Sequence, residues 1–302
     1  GHHQCIELLL DRHADINADE GTVSPLHSAS SNGHHQCVGL LLDRHANINV
    51  DEGTVSPLHN AAWNGHHQCI ELLLDRQANV NALDEYRNLP LHNAAARGNS
   101  RIVELLLDRQ ANVDAQNNDL DTPLHKASSN GHHQCIELLL DRQANIDAQN
   151  NDLDTPLHKA SSNRNHQCIE LLLDRQANVD AQNNDLDTPL HIAAFQDNRK
   201  KIVILLDHGA DKTLRNVRQS SHSWHLRASL VSGIKQPLID HNASFSLHEL
   251  SHQNQGKTPE KRAYDHATRR LIRHHGTPIH PPIRQIRAYQ TKPKNLTSIS
   301  RC

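Results

Sequence analysis

The sequence predicts an all-α solenoid, on three observations. A four-residue signature, Pro-Leu-His preceded by Ser, Thr or Leu, recurs with its histidine at 27, 59, 92, 125, 158 and 191, which are 32, 33, 33, 33 and 33 residues apart. Each period carries two short apolar segments at helical spacing, separated by turn-forming residues. The third observation is a shortage: of 302 residues only seven are aromatic (two Trp, three Tyr, two Phe), and hydrophobic residues reach 36%. Rings supply much of the burial in a large three-dimensional core. A chain this poor in them is better suited to a line of small cores, each shared between neighbouring units.

One unit shows how the elements arise. In Asp121-Thr122-Pro123-Leu124-His125, Thr122 is a helix N-cap and Pro123 suits the first helical position. His125, at the third helical position, reaches back to the cap as the acid of a capping box does. Leu124 and Ala127 face inward, and Gly131 closes this first helix where a positive φ is needed. A second helix follows in His132–Arg142, with Cys135, Ile136, Leu138, Leu139 and Leu140 on a broad apolar face. The stretch Gln143–Asp154 is rich in Asn and Asp and leads to the next Thr-Pro. Residues 115–147 and 148–180 differ only at Gly131/Arg164, His132/Asn165 and Ile146/Val179.

These features resemble the ankyrin repeat, a hairpin finger followed by two antiparallel helices. The resemblance covers six units over residues 17–214, preceded at 1–16 by the second helix of an earlier unit. It implies an ankyrin repeat array of antiparallel helix pairs with hairpin fingers. Residues 215–276 read as degenerate and terminal capping repeats, with Ala243 in register and Thr258-Pro259 opening the last. Residues 277–302, with four Pro and no acid, read as a basic tail. The chain lacks Met and opens within a unit, so it reads as a fragment of a longer protein.

Several positions depart from the family pattern. His13, His45, Gln77, Gln110, Gln143 and Gln176 stand where the family places glycine before the Ala that follows the second helix. The finger tips carry Leu120, Leu153 and Leu186 in place of glycine. A side chain forced to positive φ costs on the order of 1 kcal/mol. Leu89 takes an N-cap position, a further loss of about 1 kcal/mol.

Histidine, at 27 residues, invites a metal reading, because His34/Cys37, His66/Cys69 and His132/Cys135 are three apart on a helix. Zinc needs about four ligands in a closed tetrahedron. One unit offers two, and neighbouring units stand ~10 Å apart, so neither metal nor cofactor is expected. Cys37, Cys69, Cys135 and Cys168 fall on apolar positions and read as buried thiols in a reducing, cytoplasmic or nuclear compartment. No phosphate-binding glycine loop and no nucleophile motif is present, so the chain reads as no enzyme.

The resemblance implies a protein-interaction scaffold whose partner meets the concave side, built from finger tips and first helices. Carried over by register, that surface comprises Trp63, Asn64, Tyr86, Arg87, Arg97, Leu120, Asp121, Lys126, Ser129, Leu153, Asp154, Lys159, Ser162, Leu186, Asp187, Phe195 and Gln196. Residues 1–216 carry 17 Lys+Arg and 30 Asp+Glu, against 14 and 4 in residues 217–302. The acids Asp119, Asp121, Asp152, Asp154, Asp185 and Asp187 therefore suggest a basic protein partner. Nucleic acid and membrane are not expected, and the chain reads as a monomer. The alternative is a substrate-receptor adaptor of a ubiquitin ligase, because Leu296, Ile299, Ser300 and Arg301 resemble the opening of a SOCS box, the elongin-binding segment that follows ankyrin arrays in one family of such adaptors.

Overall fold

The computed structural model describes residues 2–18, 23–49, 54–163 and 165–217. The sequence-based expectations for 218–302, including most of the capping units, the tail and the SOCS-like residues, lie outside them. Helix α1 (His3–Asp11) comes first. Six helix pairs follow: α2 (Pro25–Ser31) with α3 (His35–Asp43), α4 (Pro57–Asn64) with α5 (His67–Asp75), α6 (Pro90–Arg97) with α7 (Ser100–Asp108), α8 (Pro123–Asn130) with α9 (His133–Asp141), α10 (Pro156–Ser162) with α11 (Gln167–Asp174), and α12 (Pro189–Phe195) with α13 (Arg199–Asp207). The described residues form an all-α solenoid.

The core is a set of columns running through the units. Leu26, Leu58, Leu91, Leu124, Leu157 and Leu190 form one; Val38, Ile70, Val103, Ile136, Ile169 and Ile202 form another, all buried. Each such side chain contributes about 1.5–3 kcal/mol against its neighbours above and below. At α1, beside which the described residues place no first helix, Leu8 and Leu9 are 64% and 59% exposed. A third column contains Cys37, Cys69, Ile102, Cys135 and Cys168, and burial raises Cys69 and Cys168 to about 11 and Cys135 to about 12. A thiol in this range is not a thiolate at neutral pH, so these cysteines pack as small apolar groups.

Lys201 ends that column, fully buried. Helix α10 lacks the left-handed glycine that closes α4, α6 and α8, and its C-cap Asn163 is extended instead. The Lys201 ammonium donates to the carbonyls of Ser161, at 2.6 Å, and Asn163, and to Gln196 Oε1 at 2.8 Å. It caps the end of α10 from the following unit, a favourable place for a cation at a helix C-terminus. Burial lowers its pKa to about 8. A smaller irregularity sits in the column of Ala62, Ala95 and Ala194, where Ser30, Ser128 and Ser161 bury hydroxyls without a partner. Each costs on the order of 1 kcal/mol relative to alanine.

The signature histidines join one unit to the next. Nδ1 of His59, His92, His125, His158 and His191 accepts the backbone N–H of the N-cap residue at 3.0–3.2 Å. Nε2 lies 2.9–3.0 Å from a carbonyl about thirty residues on: His27 to Val55, His59 to Asn88, His92 to Asp121, His125 to Asp154 and His158 to Asp187. A carbonyl can only accept, so the proton sits on Nε2 and the ring is neutral. Leu89 offers no hydroxyl, yet its N–H still reaches His92 at 3.0 Å and its side chain is 3% exposed. Burial thus offsets part of the cost expected from its sequence position.

The first histidine of the Gly-His-His runs makes a second stitch. His66 and His132 donate from Nε2 to the carbonyls of Ser31 and Ala96 at 3.0 and 3.2 Å. A Cβ on Gly33 or Gly98 would fall 2.5 Å from Nδ1 of those rings, so these glycines serve both the turn and the close approach. A ladder of ion pairs follows the ends of the second helices: Arg44–Asp11, Arg76–Asp43, Arg109–Asp75, Arg142–Asp108 and Arg175–Asp141 at 2.6–3.1 Å. These are exposed pairs, each worth at most about 1 kcal/mol.

Acid should dissolve this architecture. Burial lowers the pKa of His59, His125, His158 and His191 and brings His92 to about 4. Because the folded values lie below the unfolded one near 6.5, the unfolded chain binds more protons between them, and stability falls as pH drops through that window. It is complete above about 6.5. Urea titrations from pH 7.5 to 4.5 are expected to show a steep decline below pH 6.5 that His125→Gln makes shallower. Equal slopes in the two proteins would contradict the assignment.

Candidate partner-binding surface

Each finger is a tight turn built on one side chain. Asn117 Oδ1 accepts the N–H groups of Asp119 and Asp121 at 3.0 and 2.9 Å, and the Leu120 N–H returns to the Asn117 carbonyl at 3.0 Å. The same set recurs at Asn150 and Asn183. This geometry holds Leu120, Leu153 and Leu186 at φ of 57, 56 and 56°. The positions marked by missing glycine at the second-helix ends behave alike, with φ of 64–67° from His13 to Gln176.

The fingers are joined to one another. The N–H of Asn118 donates to the Tyr86 carbonyl, Asn151 to Asp119, Asn184 to Asp152 and Val217 to Asp185, at 2.9–3.0 Å. Side chains add a parallel line: Nδ2 of Asn117 donates to Asn88 Oδ1 at 2.9 Å, Asn150 to Asp121 and Asn183 to Asp154 at 2.8 Å, and Asn216 to Asp187.

The structure therefore divides the acids that the sequence grouped as one ladder. Asp121 and Asp154 also receive Lys126 and Lys159 at 2.8 and 2.9 Å, and their side chains are only 14% and 16% exposed. Burial by itself raises Asp121, but Lys126 and the Asn150 amide outweigh it and hold the carboxyl below its ordinary range. These residues, with Asp187, brace the fingers from within. Asp119, Asp152 and Asp185 are exposed beside them.

The remaining residues of the set are largely at the surface. Trp63 is 37% exposed, and the Arg97 guanidinium lies 4.9 Å from its ring centroid, a cation–π pair. Asn64 donates to the Asn60 carbonyl at 3.0 Å and to Ser31 Oγ at 3.3 Å. Tyr86 and Phe195 are 52% and 51% exposed, and Arg87, at φ 58°, is exposed beside Tyr86. Leu120, Leu153 and Leu186 are 39–45% exposed. Ser129 is half-buried, Ser162 is exposed, and the exposed Gln196 donates to the Ser162 carbonyl at 2.9 Å. Trp63, Ser129, Ser162 and Phe195 hold equivalent positions in their units, so the aromatics stand at the two ends of a row of small residues.

A separate open groove of about 560 Å³ is lined by Gly33, Gly65, His66, His67, Glu71 and Arg101, among others, and contains none of these side chains. Among the described residues, no group of three or more His, Cys, Asp or Glu is gathered as a metal site, and no helix is long and apolar enough to cross a membrane.

The family described as "Ankyrin repeats (3 copies)" matches over residues 1–84, 58–150 and 144–216. The chain belongs to the ankyrin-repeat family. Among solved structures it is similar to the crystal structure of the human ASB11 ankyrin repeat domain, at 34% identity and a TM-score of 0.61, covering 69% of this chain and 98% of that one. No curated protein matches by sequence. Ankyrin repeats are protein-interaction modules, which is the coarse function of this chain.

The two classes of finger residue should respond oppositely to substitution. Asp154→Ala removes the acceptor of both Lys159 and Asn183 and is expected to cost about 1–3 kcal/mol. Leu153→Gly relieves the positive φ and should be neutral or stabilising by up to about 1 kcal/mol. Chemical denaturation of both variants checks this, and destabilisation by Leu153→Gly would contradict the reading of the tip.

Proposed function

We propose that the array is a non-enzymatic scaffold that binds a protein partner across its finger tips and first helices, acting as a monomer in a reducing compartment. One observation carries the reading. Apart from Leu8 and Leu9 of α1, the exposed large aromatic and leucine side chains of the described units are Trp63, Tyr86, Leu120, Leu153, Leu186 and Phe195, and these six belong to finger tips or first helices. Aromatic anchors of this kind dominate binding energy in protein interfaces. Exposed acids at Asp119, Asp152 and Asp185 favour a basic partner, steering its approach. A second reading, adaptor of a ubiquitin ligase, is supported by the SOCS-like Leu296, Ile299, Ser300 and Arg301. Binding of purified elongin by the full chain, lost on changing Leu296, tests it.

Site-specific photo-crosslinking tests the main reading. A photoreactive residue at Leu120 or Ser129 is expected to trap one protein that the same residue at Glu137 or Arg142 does not. Trp63→Ala with Phe195→Ala should lower capture at least about tenfold. Trapping mainly from positions 137 and 142 would place the interface elsewhere.

A further inference from the structure

The finger tips repeat two chemistries at one spacing, and that spacing restricts what can lie along them. Leu120, Leu153 and Leu186 are exposed, each preceded by an exposed aspartate. Asp119 and Asp152 enter no ion pair among the described residues, whereas Asp121 and Asp154 are neutralised by their lysines. The outward row is therefore apolar and anionic together. One backbone hydrogen bond closes each finger, as from Asn150 to Asp154, and one joins it to the preceding finger, as from Asn151 to Asp119. Two hydrogen-bonded spacings per unit set a step of ~9.6 Å, consistent with the packing distance of the helices.

An extended strand does not match this step. Three of its residues span ~10 Å, but a shift of three turns the side chain to the opposite face. A helix does match: seven residues rise ~10.5 Å and return to nearly the same face. Within each heptad, residues three or four apart are neighbours, so one apolar and one basic side chain can meet a leucine and its preceding aspartate together.

We propose that the finger row binds an amphipathic helix of the partner that carries an apolar residue and a Lys or Arg in every heptad. The inference rests on the reading above and adds the form and period of the ligand. Three tips require roughly 15 residues of helix. Leucine held at positive φ, a strained backbone for a side chain, supplies an apolar contact that the glycine of the family pattern lacks.

The probe is a labelled 21-residue peptide of three heptads, each with one Leu and, four positions on, one Arg, in an Ala/Gln background. Its control has the same composition with the Leu–Arg pairs unevenly spaced. By fluorescence anisotropy with the full chain, the heptad peptide should bind at least about tenfold tighter than the control. Leu120→Gly/Leu153→Gly/Leu186→Gly should abolish that preference, while circular dichroism shows the fold retained. Asp119→Asn/Asp152→Asn should weaken binding and flatten its dependence on salt. Equal affinity for the two peptides, or undiminished preference in the triple variant, overturns the proposal. If that occurs while photo-crosslinking still traps a protein at Ser129, the scaffold reading stands and only the helical ligand fails. Loss of both removes the reading itself.

Discussion

Each unit of this array depends on an imidazole that works in two units at once. Nδ1 closes the start of its own first helix, and Nε2 holds the finger that opens the next unit, as His125 does between Thr122 and Asp154. Both bonds require one neutral tautomer, and burial enforces it. Apolar columns supply most of the stabilisation between units but are tolerant of small displacements. The histidine bond fixes the finger relative to the helix, and through it the position of every tip residue.

The same economy governs the acids. An aspartate four residues beyond the finger asparagine is the acceptor for the next finger's amide and for its own unit's lysine, as Asp154 is for Asn183 and Lys159. Its neighbour two residues earlier is left to face solvent. Internal bracing thus consumes one row of charge, while Asp119 and Asp152 stay at the surface. Lys201 shows how a unit compensates for a lost glycine: the carbonyls at the end of α10 are satisfied by a buried ammonium from the following helix.

Much of the fold was legible because the repeat makes each inference several times over. Thr122, Pro123 and His125 announce a helix start, and Gly131 its end. The strained positions at His13 through Gln176 and at the leucine tips were legible as substitutions against a pattern of glycines. What escaped was the pairing between units. Nothing within one period shows that His125 reaches Asp154 or that Arg142 reaches Asp108, since those partners lie 29 and 34 residues apart. For the same reason the six finger aspartates look alike in the sequence, although only Asp119, Asp152 and Asp185 are exposed. Asn117, Asn150 and Asn183 recur in phase with Asp121, Asp154 and Asp187, and that phase was the available signal that amides would claim the carboxylates.

Whether neutral imidazoles with the proton on Nε2 clamp successive units is read out by the tautomeric state of these rings. Long-range proton–nitrogen correlation spectra of the histidine-labelled chain resolve Nδ1 and Nε2 separately. His59, His92, His125 and His158 should show an unprotonated Nδ1 and a protonated Nε2 at neutral pH, persisting as the solution is acidified well below 6.5 until the array unfolds. A protonated Nδ1 at neutral pH, or ordinary titration near 6.5 with the fold intact, would contradict it.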